Sequence, residues 1–276
     1  MYEGIEDIYQ LLDAGRLKEA LIQLQGIGMQ ANDWKLRNQI ENTLTAYGYM
    51  LQYAGEGMDD PNRKSFYQQT LRTAYELTDA TNIALLSLKT SAMYYDRIRT
   101  FAIQPAKSYS ELQMQLETFT EDVSTAPLLY HEEKRLKAEL EKIYQVHESV
   151  LNELFYKTWA TPFWAEHEAK EAMEILQSML VSPQDLAVMV SAVTLSLLRV
   201  FDNKKFNFLL EAYKHEELLI SQRVLVGIVI AISKHEKRIA LYPDTISRLT
   251  LLSEEDDFQK NQHTIQMQLL ITRETT

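Results

Sequence analysis

Two stretches without a charged residue, 186–198 and 224–233, constrain this sequence more than any other feature. An uncharged run of about 10–14 residues is too short to span a bilayer and marks a helix buried in a core. A helix that is apolar on all sides must be covered on all sides. The amphipathic segment 204–213 lies between the two runs, and the simplest cover is a second layer of helices stacked pair upon pair. The sequence therefore predicts an all-α fold, a right-handed stack of antiparallel helix pairs of the α-solenoid kind. The rival reading concerns residues 224–232, whose β-branched side chains suit a buried parallel strand. Such a strand needs partners, and no convincing second or third follows from the pattern.

Composition supports the helical reading. Glycine (8) and proline (6) are too scarce in 276 residues to supply the turns of a many-stranded β protein. With 46% hydrophobic and 24% charged residues the chain has the makings of a packed globular protein. A net charge of −11 disfavours nucleic acid, whose binding rests on clustered Lys and Arg. There is no cysteine, which excludes disulfides, thiolate chemistry and Cys-based zinc sites and fits a reducing compartment. The N-terminus lacks the basic-then-apolar pattern of a secretory signal, so the expectation is a cytoplasmic protein with no membrane partner. Residues 265–273 read as a helix still under way near the C-terminus, as expected of an excerpt from a longer protein.

The six prolines, Pro61, Pro105, Pro127, Pro162, Pro183 and Pro243, are expected at boundaries between helical blocks. Asp60-Pro61 and Ser182-Pro183 read as an N-cap followed by proline at the first helical position. Residues 3–27 form a helical hairpin that turns at Gly15, and blocks 33–54 and 61–88 follow, rich in tyrosine (Tyr47, Tyr49, Tyr53, Tyr67, Tyr75). Those tyrosines are read as core residues with hydroxyls reaching the surface, against the alternative of a binding groove. Gly48 is expected to mark close helix packing. Residues 107–123 make a short helix. Beyond Pro127, Leu136, Leu140, Ile143, His147, Val150 and Leu154 alternate four and three apart, the seam of a long helix joining two halves. A period then emerges, since spacings of 38 and 39 residues superpose 186–192 on 224–230 and 226–232 on 265–271.

Gly15-Arg16-Leu17-Lys18-Glu19-Ala20, with Leu24 following, resembles the turn and second helix of a tetratricopeptide repeat. Residues 221–227 resemble the start of a HEAT inner helix, at a period near the 40–47 residues of HEAT and armadillo units. The implied organisation is a tetratricopeptide-like region over 1–160 and HEAT-like helix pairs over 161–276. The whole is similar to the amino-terminal part of large bacterial helical-repeat proteins. These resemblances are of form and bring no catalytic residue.

A search for chemistry finds little. The histidines at 131, 147, 167, 215, 235 and 263 never lie three or four apart, so the helical two-histidine zinc motif is absent, and His167-Glu168 imitates it only superficially. His147, on the apolar seam, reads as a hydrogen-bonded core histidine rather than a general base. Gly26 and Gly28 lack the following lysine of a phosphate loop, and no serine stands in a nucleophile elbow. Tyr94, Tyr95 and Arg97, with Arg99, could meet an anion, although snorkelling arginines paired with nearby acids explain the segment as well. Trp159, Phe163 and Trp164 form the densest aromatic cluster and are the first candidates for a contact patch, although packing a joint between halves explains them as well. The expected function is a non-enzymatic protein- or peptide-binding scaffold with no cofactor and no metal. The alternatives are a structural arm of a larger protein, and a metal-dependent enzyme whose site assembles from distant His and Glu residues.

Overall fold

A computed structural model describes residues 1–57, 60–255, 258, 259 and 265. The only regular secondary structure among the described residues is helix, with no strand. Two compact units divide the chain, Met1–Arg99 and Thr100–Thr276.

The first unit holds α1 (Ile5–Asp13), α2 (Leu17–Gly28), α3 (Trp34–Gly55), α4 (Arg63–Lys89) and most of α5 (Met93–Ile103). Gly15 takes φ +73° between α1 and α2, a left-handed conformation that a side chain would strain. Ala20 is fully buried on α2, as its place in the hairpin requires. Asp33 caps α3 by accepting from the amides of Lys35 (2.9 Å) and Leu36 (3.1 Å). From α1 to α4 consecutive helices pack side by side, and the long α4 runs back along α1 and α2 as well as α3. Tyrosine hydroxyls tie that return: Tyr75 donates to Asp13 at 2.6 Å, and Tyr9 donates to Asp79.

The second unit contains α6 (Tyr109–Leu129), α7 (Glu133–Ala160), α8 (Glu166–Gln177), α9 (Pro183–Leu197), α10 (Asn203–Ala212), α11 (Leu218–Ile239) and α12 (Pro243–Ser253). They form two layers. Helices α7, α9 and α11 lie side by side in one, and α6, α8, α10 and α12 in the other. Both uncharged runs pack into the core here, while Leu195 and Val226 remain 40% and 39% exposed, so neither is covered on all sides. Met189, Val190, Val193, Val224 and Ile228 are completely buried. Residues 224–232 are helical, so the strand alternative falls. Helix α11 has the length and hydropathy of a membrane span, with 44% of its apolar window buried inside the fold. It packs against both α9 and α10, as a core helix does. Gly227 lets α11 approach α9: a Cβ there would stand 2.4 Å from Thr194 Oγ1.

The period is written in hydrogen bonds. Among the described residues four bonded pairs stand 38 residues apart: His147 and Asp185, Trp164 and Asp202, Leu197 and His235, and Asn207 and Thr245. Each joins an element to the corresponding element of the next helix pair. The superposition of 226–232 on 265–271 lies, apart from Ile265, outside the described residues, as does the C-terminal helix read over 265–273.

Some expectations need correction. Pro127 stands inside α6, which extends to Leu129 rather than stopping near 123. Proline there removes one amide donor in the last turns. The helix closes beyond it through Tyr130 N to Ala126 O (3.0 Å), with Ala126 buried. Gly48 faces open space, so close packing is not its reason. Asp60 accepts from the amide of Asn62 (2.8 Å) in a turn, and Asn62 is the N-cap residue of α4. Ser182 and Pro183 do cap and open α9, the Ser182 hydroxyl accepting from the amide of Asp185. Helix α7 packs between α6 and α9 within the second unit. Residue 160, the boundary expected from the sequence, is the last residue of that helix.

Candidate functional site

Two places concentrate functional groups. One is exposed, and the other is sealed.

The exposed place is a groove between α3 and α4, of about 340 Å³, lined by Ala46, Tyr49, Met50, Tyr53, Ala54, Asp60, Arg63 and Phe66. Its origin is helical spacing. Tyr49 and Tyr53 are four apart and share a face of α3, whereas Tyr47 turns inward and is 7% exposed. Tyr49 and Tyr53 are 58% and 51% exposed. Alanines at 46 and 54 leave room that larger residues would fill. Of the tyrosines in these blocks, Tyr47 and Tyr75 are core residues, as expected, and Tyr49 and Tyr53 line a groove.

The sealed place is a buried network in the second unit. Lys205 on α10 is wholly buried, and its Nζ donates to the carbonyls of Thr158 (2.9 Å) and Thr161 and to Ser196 Oγ (2.6 Å). It thereby closes the C-terminal carbonyls of α7, which have no acceptor duty within their own helix. Asp202, the N-cap of α10, accepts from the amides of Trp164 (2.8 Å) and Lys204 (3.0 Å). Trp164 Nε1 donates to Tyr109 Oη (2.8 Å), and Tyr109 Oη reaches Thr158 Oγ1 (3.2 Å). Lys157 pairs with Glu168 at 3.1 Å and sits 4.7 Å from the centre of the Tyr109 ring.

Burial dominates the electrostatics. It pulls Lys205 down to about 8, against the opposing pull of Asp202 and Glu168. It pushes Asp202 above the usual carboxylate range, with Lys205 the largest opposing influence. Burial likewise raises the Tyr109 phenol. A lysine with a lowered pKa is the raw material of amine catalysis, but this amine has three protons, three acceptors and no exposure. Its geometry is that of a staple.

A similar device recurs one helix pair on. The imidazole of His235, where α11 kinks, donates through Nε2 to Leu197 O (2.7 Å), and Lys234 Nζ donates to Leu198 O. Both close the end of α9. His147 meets Asp185 at 3.1 Å beneath Phe119, whose ring is 3.7 Å away and nearly parallel. It is the hydrogen-bonded core histidine expected from its place on the seam.

The sequence-derived candidates separate accordingly. Trp164 is 2% exposed and belongs to the buried network, while Trp159 is half-buried against Phe155 and Tyr156. Phe163 is half-buried in the turn between them. Tyr94 is buried edge-on to Tyr95, and Tyr95 and Arg97 are half-buried. None of these six lines the groove. Sequence reasoning passed over Lys205, whose neighbour Lys204 looks the same in sequence but ion-pairs with Glu166 at the surface. Among the described residues no three His, Cys, Asp or Glu side chains gather to hold a metal ion, so a metal-dependent site built from distant His and Glu finds no donor set there. Comparison with protein-family models, curated proteins and solved structures found no match to this chain.

Proposed function

We propose that the chain is a non-enzymatic helical-repeat scaffold that binds a protein or peptide partner. One observation carries the reading: Lys205 and His235, buried groups whose pKa burial lowers, are spent closing helix ends. The tyrosine groove, by contrast, lies open. Arrays of helix pairs present extended surfaces of the kind that hold partner segments, and tyrosine is enriched among residues that dominate binding energy.

The test is affinity capture. The full chain, immobilised, is exposed to extract of its source cells, with a heat-unfolded chain as control. A single protein retained in stoichiometric amount, and protecting a defined set of helices from hydrogen exchange, supports the scaffold. A chain that retains nothing but turns over a substrate from a panel of hydrolase and transferase assays overturns it.

A further inference from the structure

We propose that His235 is an acid-operated latch: its protonation releases the stretch from the break in α11 to the end of α12, residues 236–253, while the rest of the second unit stays folded. The latch is independent of the scaffold reading.

The hinge is already present. Helix α11 is broken at His235, whose φ of −127° and ψ of 20° lie outside the helical region. The imidazole is 7% exposed and ties the break to the end of α9 through Leu197 O at 2.7 Å. Beyond the break the attachments are few. Only Arg238, Ile239, Thr245 and Leu252 are buried there, against nine buried residues in the 15 of α9. Arg238 stands 5.4 Å from the centre of the Phe201 ring, and the Tyr242 ring meets the same ring at 5.8 Å. Helix α12 packs against α10, where Asn207 donates to Thr245 (3.2 Å) and Thr245 donates to Asn203 (2.8 Å). A segment so lightly buried opens at a lower free energy than the core it leaves.

Charge makes the hinge responsive to acid. The charged groups acting on His235 are two cations of its own helix, Arg238 and then Lys234. From α9 it meets the carbonyl of Leu197, and from the turn before α10 the Phe201 ring, 5.4 Å away between centroids. Asp202, next to Phe201, accepts from the amides of Trp164 and Lys204, and Asp244 of α12 is exposed. A proton on the ring therefore creates a third positive charge in a buried place. Burial first, then the two cations, hold the closed form's pKa at about 4, with the bond to Leu197 opposing. Once released into water the imidazole titrates near its ordinary 6.5. The open form thus takes up the proton first, and the opening constant rises about thirtyfold between pH 7.5 and pH 5.

Hydrogen exchange of the full chain at these two pH values, corrected for the intrinsic exchange rate, tests the latch. Peptides from 236–253 are expected to lose about thirtyfold in protection at pH 5, while those from α8 and α9 keep theirs. His235→Gln, which keeps a neutral donor for Leu197 O, should abolish the drop. Arg238→Gln, which removes the stronger of the two cations, should shrink it. No drop in wild type, or an equal drop across α8 and α9, overturns the proposal, and both readings need only the unaltered chain. The same drop in His235→Gln as in wild type also overturns it.

Discussion

His147 on α7 and Asp185 on α9 stand 38 residues apart in sequence and 3.1 Å apart in space. That separation is also the period of the helix pairs in the second unit, and three other hydrogen-bonded pairs repeat it. Parallel neighbours in a layer bring residue i beside the residue one repeat later. The period therefore fixes which polar groups meet. A histidine on an apolar seam is tolerable because the next repeat delivers a carboxylate to it.

The coupling of that pair is measurable. Both side chains are largely buried, at 13% and 5% exposure, and removing one strands the other. His147→Leu is expected to lower unfolding stability by about 2–3 kcal/mol, because it leaves the Asp185 carboxylate without its bond. Asp185→Leu should cost a similar amount. The double variant should cost less than the sum, by about 1–2 kcal/mol. Urea unfolding of the four proteins checks this, and strict additivity would show that the two residues do not interact.

Lys205 should prove structural. Lys205→Met keeps the length of the side chain but leaves the carbonyls of Thr158 and Thr161 and the carboxylate of Asp202 without their cation. A loss of about 3 kcal/mol is expected, read as a lowered denaturant midpoint. Rapid modification of Lys205 by an amine-reactive label in the native protein would contradict the sealed geometry.

His235 predicts an acid-sensitive stability. Burial holds its pKa at about 4, against 6.5 for the ordinary imidazole, with Arg238 and Lys234 adding to the effect and the bond to Leu197 opposing it. The unfolded chain thus binds a proton at His235 between pH 6.5 and 4 that the folded chain does not. The stabilising contribution is complete above pH 6.5 and is lost as pH falls to about 4, amounting to about 3 kcal/mol. His235→Gln, which can still donate to Leu197 O, should flatten the difference in melting temperature across that window. An identical pH dependence in wild type and variant would refute the assignment.

Gly227→Ala tests the approach of α11 to α9. The added methyl would meet Thr194 Oγ1 at 2.4 Å and Leu209 Cδ1 at 3.2 Å. Alanine is the better helix former by about 1 kcal/mol, yet overpacking should win, with a net loss of about 1–2 kcal/mol. Combining it with Thr194→Ala should recover part of the loss in thermal melting.

What the sequence made legible follows from periodicity. The uncharged runs, the hairpin at Gly15, the cap at Ser182 and the spacing of 38 residues are local or repeating signals, and each reappears in the coordinates. Individual side chains were harder. Nothing local separates Lys204 from Lys205, or Gly48 from Gly227, because the difference lies in which neighbour arrives from a distant part of the chain. Pro127 misled because a proline near a helix C-terminus forfeits one hydrogen bond and not the helix. The groove was within reach: Tyr49 and Tyr53, four apart in a chargeless stretch, could have been set against Tyr47 on another face. The cluster at 159–164 drew attention instead, since aromatic density alone does not distinguish an exposed ring from Trp164 in the core.

The staple at the end of α7 also bears on the order of synthesis. Thr161 leaves the ribosome 44 residues before Lys205, a delay of about 2–9 s at 5–20 residues per second. Until then the carbonyls of Thr158 and Thr161 lack the buried donor that closes them in the folded unit. The end of α7 is thus closed by a residue that is made only after α8 and α9, so this cap belongs to the assembled unit and not to the helix alone.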